Sequence, residues 1–208
     1  MSKLLLSVKY LKYLFLSTTK HGVHSPFIYD LVTKVFNDKG YKKEYEKIHQ
    51  IKDTNLSYPN VKRLKLIYRI SNYLQSINLL EIGNSKELEP LFLTNTQTKV
   101  NVSYFKTVPT MESELGTRRS SLTKKFDFIF LKPQIHEKKI IDNFENCLKY
   151  THNNSVMIIS NIHKSQEMEK AWNQIIKHKD VKVSVDLFYT GIMFFRKEQV
   201  KENFIIRF

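Results

Sequence analysis

The sequence predicts an α/β protein built on a mostly parallel sheet, with an antiparallel C-terminal hairpin and an N-terminal helical extension. Apolar residues recur at helical spacing in residues 3–17 and 60–76. From residue 78 onward, short apolar runs alternate with helical stretches, which is typical of a parallel sheet. Two strand-like runs meet at Thr190 and Gly191, which indicates a closing hairpin.

The N-terminal third is predicted to be helical. A helix over residues 3–17 carries one apolar stripe, formed by Leu4, Val8, Leu11 and Phe15. Ser25 suits the N-cap of a second helix, and Pro26 suits its first position. A polar stretch over residues 40–58 precedes the helix at 60–76. We therefore predict a helical extension over residues 1–57 and a sheet domain over residues 58–208.

Strands and helices alternate through the predicted sheet domain. Apolar runs predict strands at residues 78–82, 99–105, 126–131, 155–160, 181–189 and 192–196. Helices are expected over residues 135–150 and after Ser165, which is a good N-cap. Residues 204–208 form a final apolar segment.

Composition excludes several classes of protein. The chain has 208 residues, of which 41% are hydrophobic, so it can bury a core and is not a disordered tail. Its single cysteine, Cys147, excludes an internal disulfide and fits a reducing compartment. The apolar N-terminal run is too short and too charged to span a bilayer, and no signal-peptide pattern follows it. We expect a cytoplasmic protein.

The charge is strongly positive and uneven. The net charge is +14, and residues 1–70 carry 14 basic against 5 acidic side chains. Such a segment is typical of contact with nucleic acid, an anionic membrane or an acidic partner. Nucleic acid is left open but not favoured, because only 6 of the 34 basic residues are arginines. A protein partner and a homodimer are also left open.

In an open α/β sheet, ligands bind beyond the carboxyl ends of the strands. Glu81 and Gly83 lie at the end of the first predicted strand, and Lys132 with Pro133 follows the third. Ser160 and Asn161 follow the fourth. A glycine at such a turn lets backbone approach a ligand closely, and it also has a packing use of its own.

Four segments give the chain a resemblance to a known family: residues 21–31 (HGVHSPFIYDL), 79–83 (LLEIG), 167–172 (EMEKAW) and 194–199 (FFRKEQ). On these segments it resembles the class I S-adenosylmethionine-dependent methyltransferases. It looks most like a Bacteroidota-type group related to the metal-assisted O-methyltransferases. The resemblance implies a Rossmann-like sheet, S-adenosylmethionine as cofactor, and an unidentified methyl acceptor.

The family's motifs match this chain only in part. Its first motif reads acidic residue, spacer, Gly, three spacers and Gly; Glu81 and Gly83 match it, whereas Glu87 stands at the second glycine. No Asp or Glu for the cofactor's ribose occurs from residue 91 to 110. Lys132 replaces the acid after the third strand. The cofactor-binding positions implied are Glu81, Gly83, Asn84, Ser85, Glu87, Ser160 and Asn161.

These departures predict a methyltransferase-fold protein with impaired or absent catalysis and a binding or regulatory role. No metal is expected, because Mg²⁺ needs several carboxylate oxygens and Ser160-Asn161 stands where relatives carry acidic residues. The candidate general bases are His136, His163 and Lys132. Two alternatives remain open: an active O-methyltransferase with an unusual cofactor loop, and a basic polyanion-binding module.

Overall fold

The structure is a computed structural model that describes residues 3–48, 58–83, 88, 91, 100–107, 124–132 and 137–208. Its α-helices are α1 (Lys3–Leu16), α2 (Pro26–Leu31), α3 (Tyr45–Ile48), α4 (Tyr58–Tyr73), α5 (Glu137–Leu148) and α6 (Gln166–Ile175). A 3₁₀ turn covers Lys20–Gly22, and α2 continues as a π-helical turn over Val32–Phe36. The strands are β1 (Asn78–Ile82), β2 (Asn101–Phe105), β3 (Phe128–Leu131), β4 (Val156–Ser160), β5 (Val183–Asp186), β6 (Thr190–Phe194) and β7 (Glu202–Ile205).

The described strands form one sheet in the order β2-β1-β3-β4-β6-β5-β7. The first four are parallel to one another, and β6 is antiparallel to both of its neighbours, β4 and β5. The strand β7 overlaps only the start of the final apolar segment, and it pairs in parallel with β5 at the sheet edge. This confirms the predicted α/β fold with its antiparallel C-terminal hairpin.

Helices cover both faces of the central strands such as β3 and β4, whereas the edge strands β2 and β7 are partly exposed. One layer contains α2 and α4, whose Leu31, Leu64 and Ile67 pack on the face that carries Phe128 and Phe130. The other layer contains α5 and α6, which pack on the opposite face. Because both faces of β3 and β4 are covered, every residue of these strands is buried, and their sequences are almost continuously apolar.

The first helix buries a different face from the predicted stripe. Val8, Leu11 and Phe15 are 55%, 65% and 90% exposed. Tyr13 is instead buried and donates a hydrogen bond to the Ile206 carbonyl. The rings of Tyr10 and Tyr13 pack against Phe188, and these aromatic contacts stabilise the tyrosine face of α1 against the sheet. Apolar spacing alone therefore did not identify the packed face of the helix.

The predicted hairpin exists, but its turn was placed wrongly. Thr190 and Gly191 lie within β6, where Gly191 pairs with Asp186. The turn is formed by residues 187–189, and Phe188 has a left-handed backbone with φ 67°. The reason is packing, because a Cβ on Gly191 would lie 2.6 Å from the Trp172 ring. Gly191 therefore marks a close contact and not a bend.

Local signals elsewhere agree with the structure to within a few residues. Residues 78–82 form a strand as predicted, and Ser165 accepts a hydrogen bond from the Met168 amide as the predicted N-cap. Ser25 stands at the predicted N-cap position, but its side chain makes no capping bond. Within the described residues no helix is long and apolar enough to cross a membrane. The division at residue 57 stays a prediction.

Candidate functional site at the carboxyl edge of the sheet

Strand register gathers the predicted site residues along one edge. Ile82, Leu131 and Ile159 lie in one row across β1, β3 and β4. The next residue along each chain segment is Gly83, Lys132 or Ser160. These three positions therefore lie side by side at the carboxyl edge, where open α/β sheets bind ligands.

A buried ion pair occupies this edge. The Lys132 ammonium lies 2.7 Å from a Glu81 carboxylate oxygen, and the two side chains are 12% and 0% exposed. The other Glu81 oxygen accepts a hydrogen bond of 2.9 Å from the Leu88 amide. Glu81 thus directs its charge to Lys132 and to the segment that follows β1. A buried carboxylate needs such partners, because an unpaired one would be costly.

Gly83 is required by the stem of Lys132. A Cβ on Gly83 would lie 2.7 Å from the Lys132 Cβ and 2.8 Å from its Cε. Gly83 does not adopt a left-handed backbone, so conformational freedom is not the reason for glycine here. The Tyr104 hydroxyl donates a hydrogen bond of 2.7 Å to the Gly83 carbonyl. The space above this glycine is therefore filled by one of the protein's own side chains.

A second cation stands near Lys132. The Arg63 guanidinium lies 5.7 Å from the centre of the Phe130 ring, and the Lys132 ammonium lies 5.8 Å from the same point. Arg63 is buried, and one of its Nη atoms donates to the Asn60 side chain. The Phe130 ring therefore has one cationic side chain from α4 and one from the end of β3 nearby, and the latter is paired with Glu81.

Ser160 and Asn161 form the end of β4. Ser160 is buried and pairs with Thr190 of β6. Asn161 has φ 60°, and its amide donates a hydrogen bond of 2.6 Å to the Tyr189 carbonyl. Asparagine tolerates the left-handed region better than most residues do. These two residues tie β4 to the hairpin and bring no negative charge to the edge.

His163 is held between two carboxylates. Its Nδ1 lies 2.9 Å from Glu169 and its Nε2 lies 2.7 Å from Asp186, while the ring stacks on Phe188. Burial alone would lower the pKa of His163, but Asp186 and Glu169 outweigh it and raise the pKa above its usual range. Lys9 pairs with Glu169 at 2.7 Å, so the cluster also fastens α1 to α6.

The remaining predicted positions, Asn84, Ser85, Glu87 and His136, lie outside the described residues. Within the described part of the chain, no group of three His, Cys, Asp or Glu side chains is arranged to hold a metal ion. The positions that the structure does bring together are Glu81, Gly83, Lys132 and Ser160.

The sheet order and the antiparallel strand next to β4 can be compared with solved structures. The SAH-bound methyltransferase PaMTH1 from Podospora anserina is similar over 84% of this chain and 98% of its own, with a TM-score of 0.53 and 11% identity. The fold is that of a class I methyltransferase. At such an identity the likeness shows architecture and does not carry an activity with it.

Other similar structures have lower scores. The O-methyltransferase TomG from Streptomyces achromogenes, solved with SAM, has a TM-score of 0.48 at 15% identity and covers 81% of this chain and 95% of its own. An O-methyltransferase from Bacillus cereus in complex with SAH has a TM-score of 0.48 at 13% identity, with coverages of 88% and 99%. No protein-family model matches the sequence, and neither does any curated protein.

Sequence reasoning missed two residues of this methyltransferase-fold edge. Arg63 lies on the buried face of α4 with Ile67 and Ile70, at offsets of four and seven. Helical spacing could have found it, because a charge inside an apolar stripe indicates a buried role. Tyr104 gave no such signal, because an aromatic residue in a strand is ordinary.

Proposed function

We propose that this chain is a methyltransferase-fold protein with impaired or absent catalysis, whose cofactor edge is closed by its own side chains and which acts by binding. The observation that carries the proposal is the buried Lys132–Glu81 pair, with the Lys132 stem lying against Gly83. In this fold the carboxyl edge of the first strand is the place where a ligand approaches backbone. In this chain the side chain of Lys132 occupies that space.

The chemistry of the edge supports the same conclusion. S-adenosylmethionine carries an ammonium group and a sulfonium centre as well as a carboxylate, and the two cationic groups favour negative partners, whereas the Glu81 carboxylate on this edge is already paired with Lys132. Ser160 and Asn161 are neutral, so the described part of this edge also offers poor ligands for Mg²⁺. The described residues therefore fit S-adenosylmethionine poorly, and we derive no methyl transfer step through it.

The described candidate bases are also engaged. Both ring nitrogens of His163 lie within hydrogen-bond distance of carboxylates, and Lys132 is paired with Glu81. A general base must present a free acceptor to the group that loses the proton. Engagement of both groups favours a structural use for them. Cytoplasmic location and kinship with the Bacteroidota-type group remain predictions.

Titration calorimetry with S-adenosylmethionine and S-adenosylhomocysteine tests the proposal. We expect no binding by the wild-type protein at ligand concentrations of about 1 mM, which corresponds to less than about 4 kcal/mol of binding free energy. Micromolar binding would overturn the proposal and favour an active methyltransferase with an unusual cofactor loop.

A double variant tests whether Lys132 closes the edge. Removing Lys132 alone would take a counter-charge from the buried Glu81 carboxylate, at a cost of about 3–5 kcal/mol. We therefore combine Lys132→Ala with Glu81→Gln, because the Gln oxygen can still accept from the Leu88 amide. Gain of S-adenosylhomocysteine binding by a folded double variant would support closure by Lys132. If wild-type protein and variant bind equally well, closure by Lys132 is wrong.

A further inference from the structure

A cationic pocket has a lining that includes none of Glu81, Gly83, Lys132 and Ser160. It encloses about 570 Å³ between α4, the segment after α2 and the C-terminal residues. Its basic lining residues are Lys39, Lys62, Lys65, Arg69 and Arg207. The acidic side chain in the lining is Asp38, which is already engaged with Lys42 at 3.3 Å and with the Gly40 amide at 2.7 Å. The volume is in the range of small-molecule sites.

Two cations of this pocket, Lys62 and Lys65, lie against aromatic rings. The Lys62 ammonium lies 4.1 Å from the centre of the Phe208 ring, and the Lys65 ammonium lies 5.0 Å from that of Tyr45. No described acidic side chain forms an ion pair with either lysine. Aromatic faces hold a cation more weakly than a carboxylate does, so both ammonium groups keep capacity for an anion.

Arg69 adds a further donor and a further charge. One of its Nη atoms donates a hydrogen bond of 2.6 Å to the Asp38 carbonyl, which fixes the guanidinium in the pocket wall. Its Nε is buried and has no hydrogen-bond partner among the described residues. Burial lowers the pKa of Lys62, and the positive charge of Arg69 lowers it further. Crowded like charges of this kind are stabilised when an anion binds between them.

We infer that this pocket binds a phosphorylated small molecule that carries an aromatic ring, such as a nucleotide. Lysine and arginine donors together suit phosphate oxygens. Tyr41, which is 66% exposed at the pocket rim, offers a ring on which a base can stack. The inference does not rest on the proposed function, because the pocket lining includes neither Glu81 nor Lys132.

Calorimetric titration with ADP tests this inference, with adenosine and pyrophosphate as partial probes. We expect ADP to bind, pyrophosphate to bind more weakly and adenosine not to bind. The dissociation constant for ADP should rise as salt is added, because salt screens exposed charges. Absence of ADP binding at about 1 mM would overturn the inference, and so would equal binding of adenosine and ADP.

Variants in which lysines of the pocket are replaced by glutamine test where ADP binds. Lys62→Gln combined with Lys65→Gln should weaken ADP binding at least roughly tenfold, because two charge-assisted contacts are lost. Both lysines lack a described carboxylate partner, so the variant should stay folded, which circular dichroism checks. The matched control is Lys139→Gln combined with Lys177→Gln, because both lysines are exposed and lie on the α5 and α6 side of the sheet. If both variants weaken ADP binding equally, ADP is attracted only by the overall positive charge of the protein, and the inference that it binds in this pocket is wrong.

An RNA oligonucleotide provides the last comparison. Binding of RNA without any binding of ADP would overturn the small-molecule inference in favour of a polyanion surface. S-adenosylhomocysteine is titrated separately, so failure of either proposal is seen independently of the other. We expect S-adenosylhomocysteine not to displace ADP, because the two would occupy different parts of the fold.

Discussion

At the scale of single residues, two glycines are explained by the side chains that lie against them. Gly83 admits the stem of Lys132, and Gly191 admits the ring of Trp172. Neither has the positive φ that most often explains a glycine. In both places the missing Cβ is a packing requirement between neighbouring elements, and at Gly83 it also decides what can reach the candidate site.

Gly191→Ala should destabilise the protein by about 1–3 kcal/mol, because the new methyl group would overlap the Trp172 ring in a packed core. Urea unfolding measures the change. In a Trp172→Leu background the same substitution should cost clearly less, since neighbouring residues are not additive. An equal cost in both backgrounds would contradict the contact.

At the scale of elements, the His163 cluster joins three parts of the chain. Lys9 comes from α1, Glu169 from α6, and Asp186 from the end of β5. Two carboxylates on one imidazole favour its charged form, and they are also well placed to satisfy both of its N–H groups. The cluster therefore fastens the N-terminal helix to the sheet domain.

The stabilising effect of His163 should depend on pH. Its pKa is raised in the folded protein, so its contribution is fully present below the unfolded pKa of about 6.5 and is lost as pH rises through the folded value. We expect His163→Gln to lower the free energy of unfolding by about 1–3 kcal/mol at pH 6, and by progressively less at higher pH.

Chemical denaturation across a pH series measures this difference. His21→Gln is the matched control, because His21 is exposed in the structure and should show little change. A cost for His163→Gln that grows with rising pH would contradict the charged cluster.

At the scale of the whole molecule, the N-terminal helices and the sheet share one core. Ile28 and Leu31 of α2 belong to the same apolar cluster as residues of α4, β3 and β5. Thr18 forms a β-bridge with Ile206 beside the edge strand β7. The extension predicted over residues 1–57 thus contributes contacts that the sheet domain uses.

Unfolding should therefore be one cooperative transition. Trp172, the only tryptophan, reports on the sheet domain, whereas far-UV circular dichroism reports on all helices. We expect the two signals to coincide in urea. An earlier loss of helical signal, with Trp172 fluorescence unchanged, would show that the N-terminal helices unfold separately.

The order of elements could be predicted because it depends on local pattern. Apolar period and end signals such as Ser165 are properties of neighbouring residues, and they gave the strands and helices to within a few positions. The meaning of Gly191 could not be read in this way. A glycine beside a strand is compatible with a turn or with a close contact, and only the position of Trp172 distinguishes them.

The sequence by itself determined the α/β class, the positions of Glu81, Gly83 and Lys132 at strand ends, and the positive charge of the first seventy residues. Tertiary structure decided what those residues do. It paired Lys132 with Glu81, turned Arg63 toward the same edge, and brought Lys62 and Arg207 into one pocket. The physical reason is that ion pairs and pockets join residues distant in the chain, whereas periodicity reports only on near neighbours.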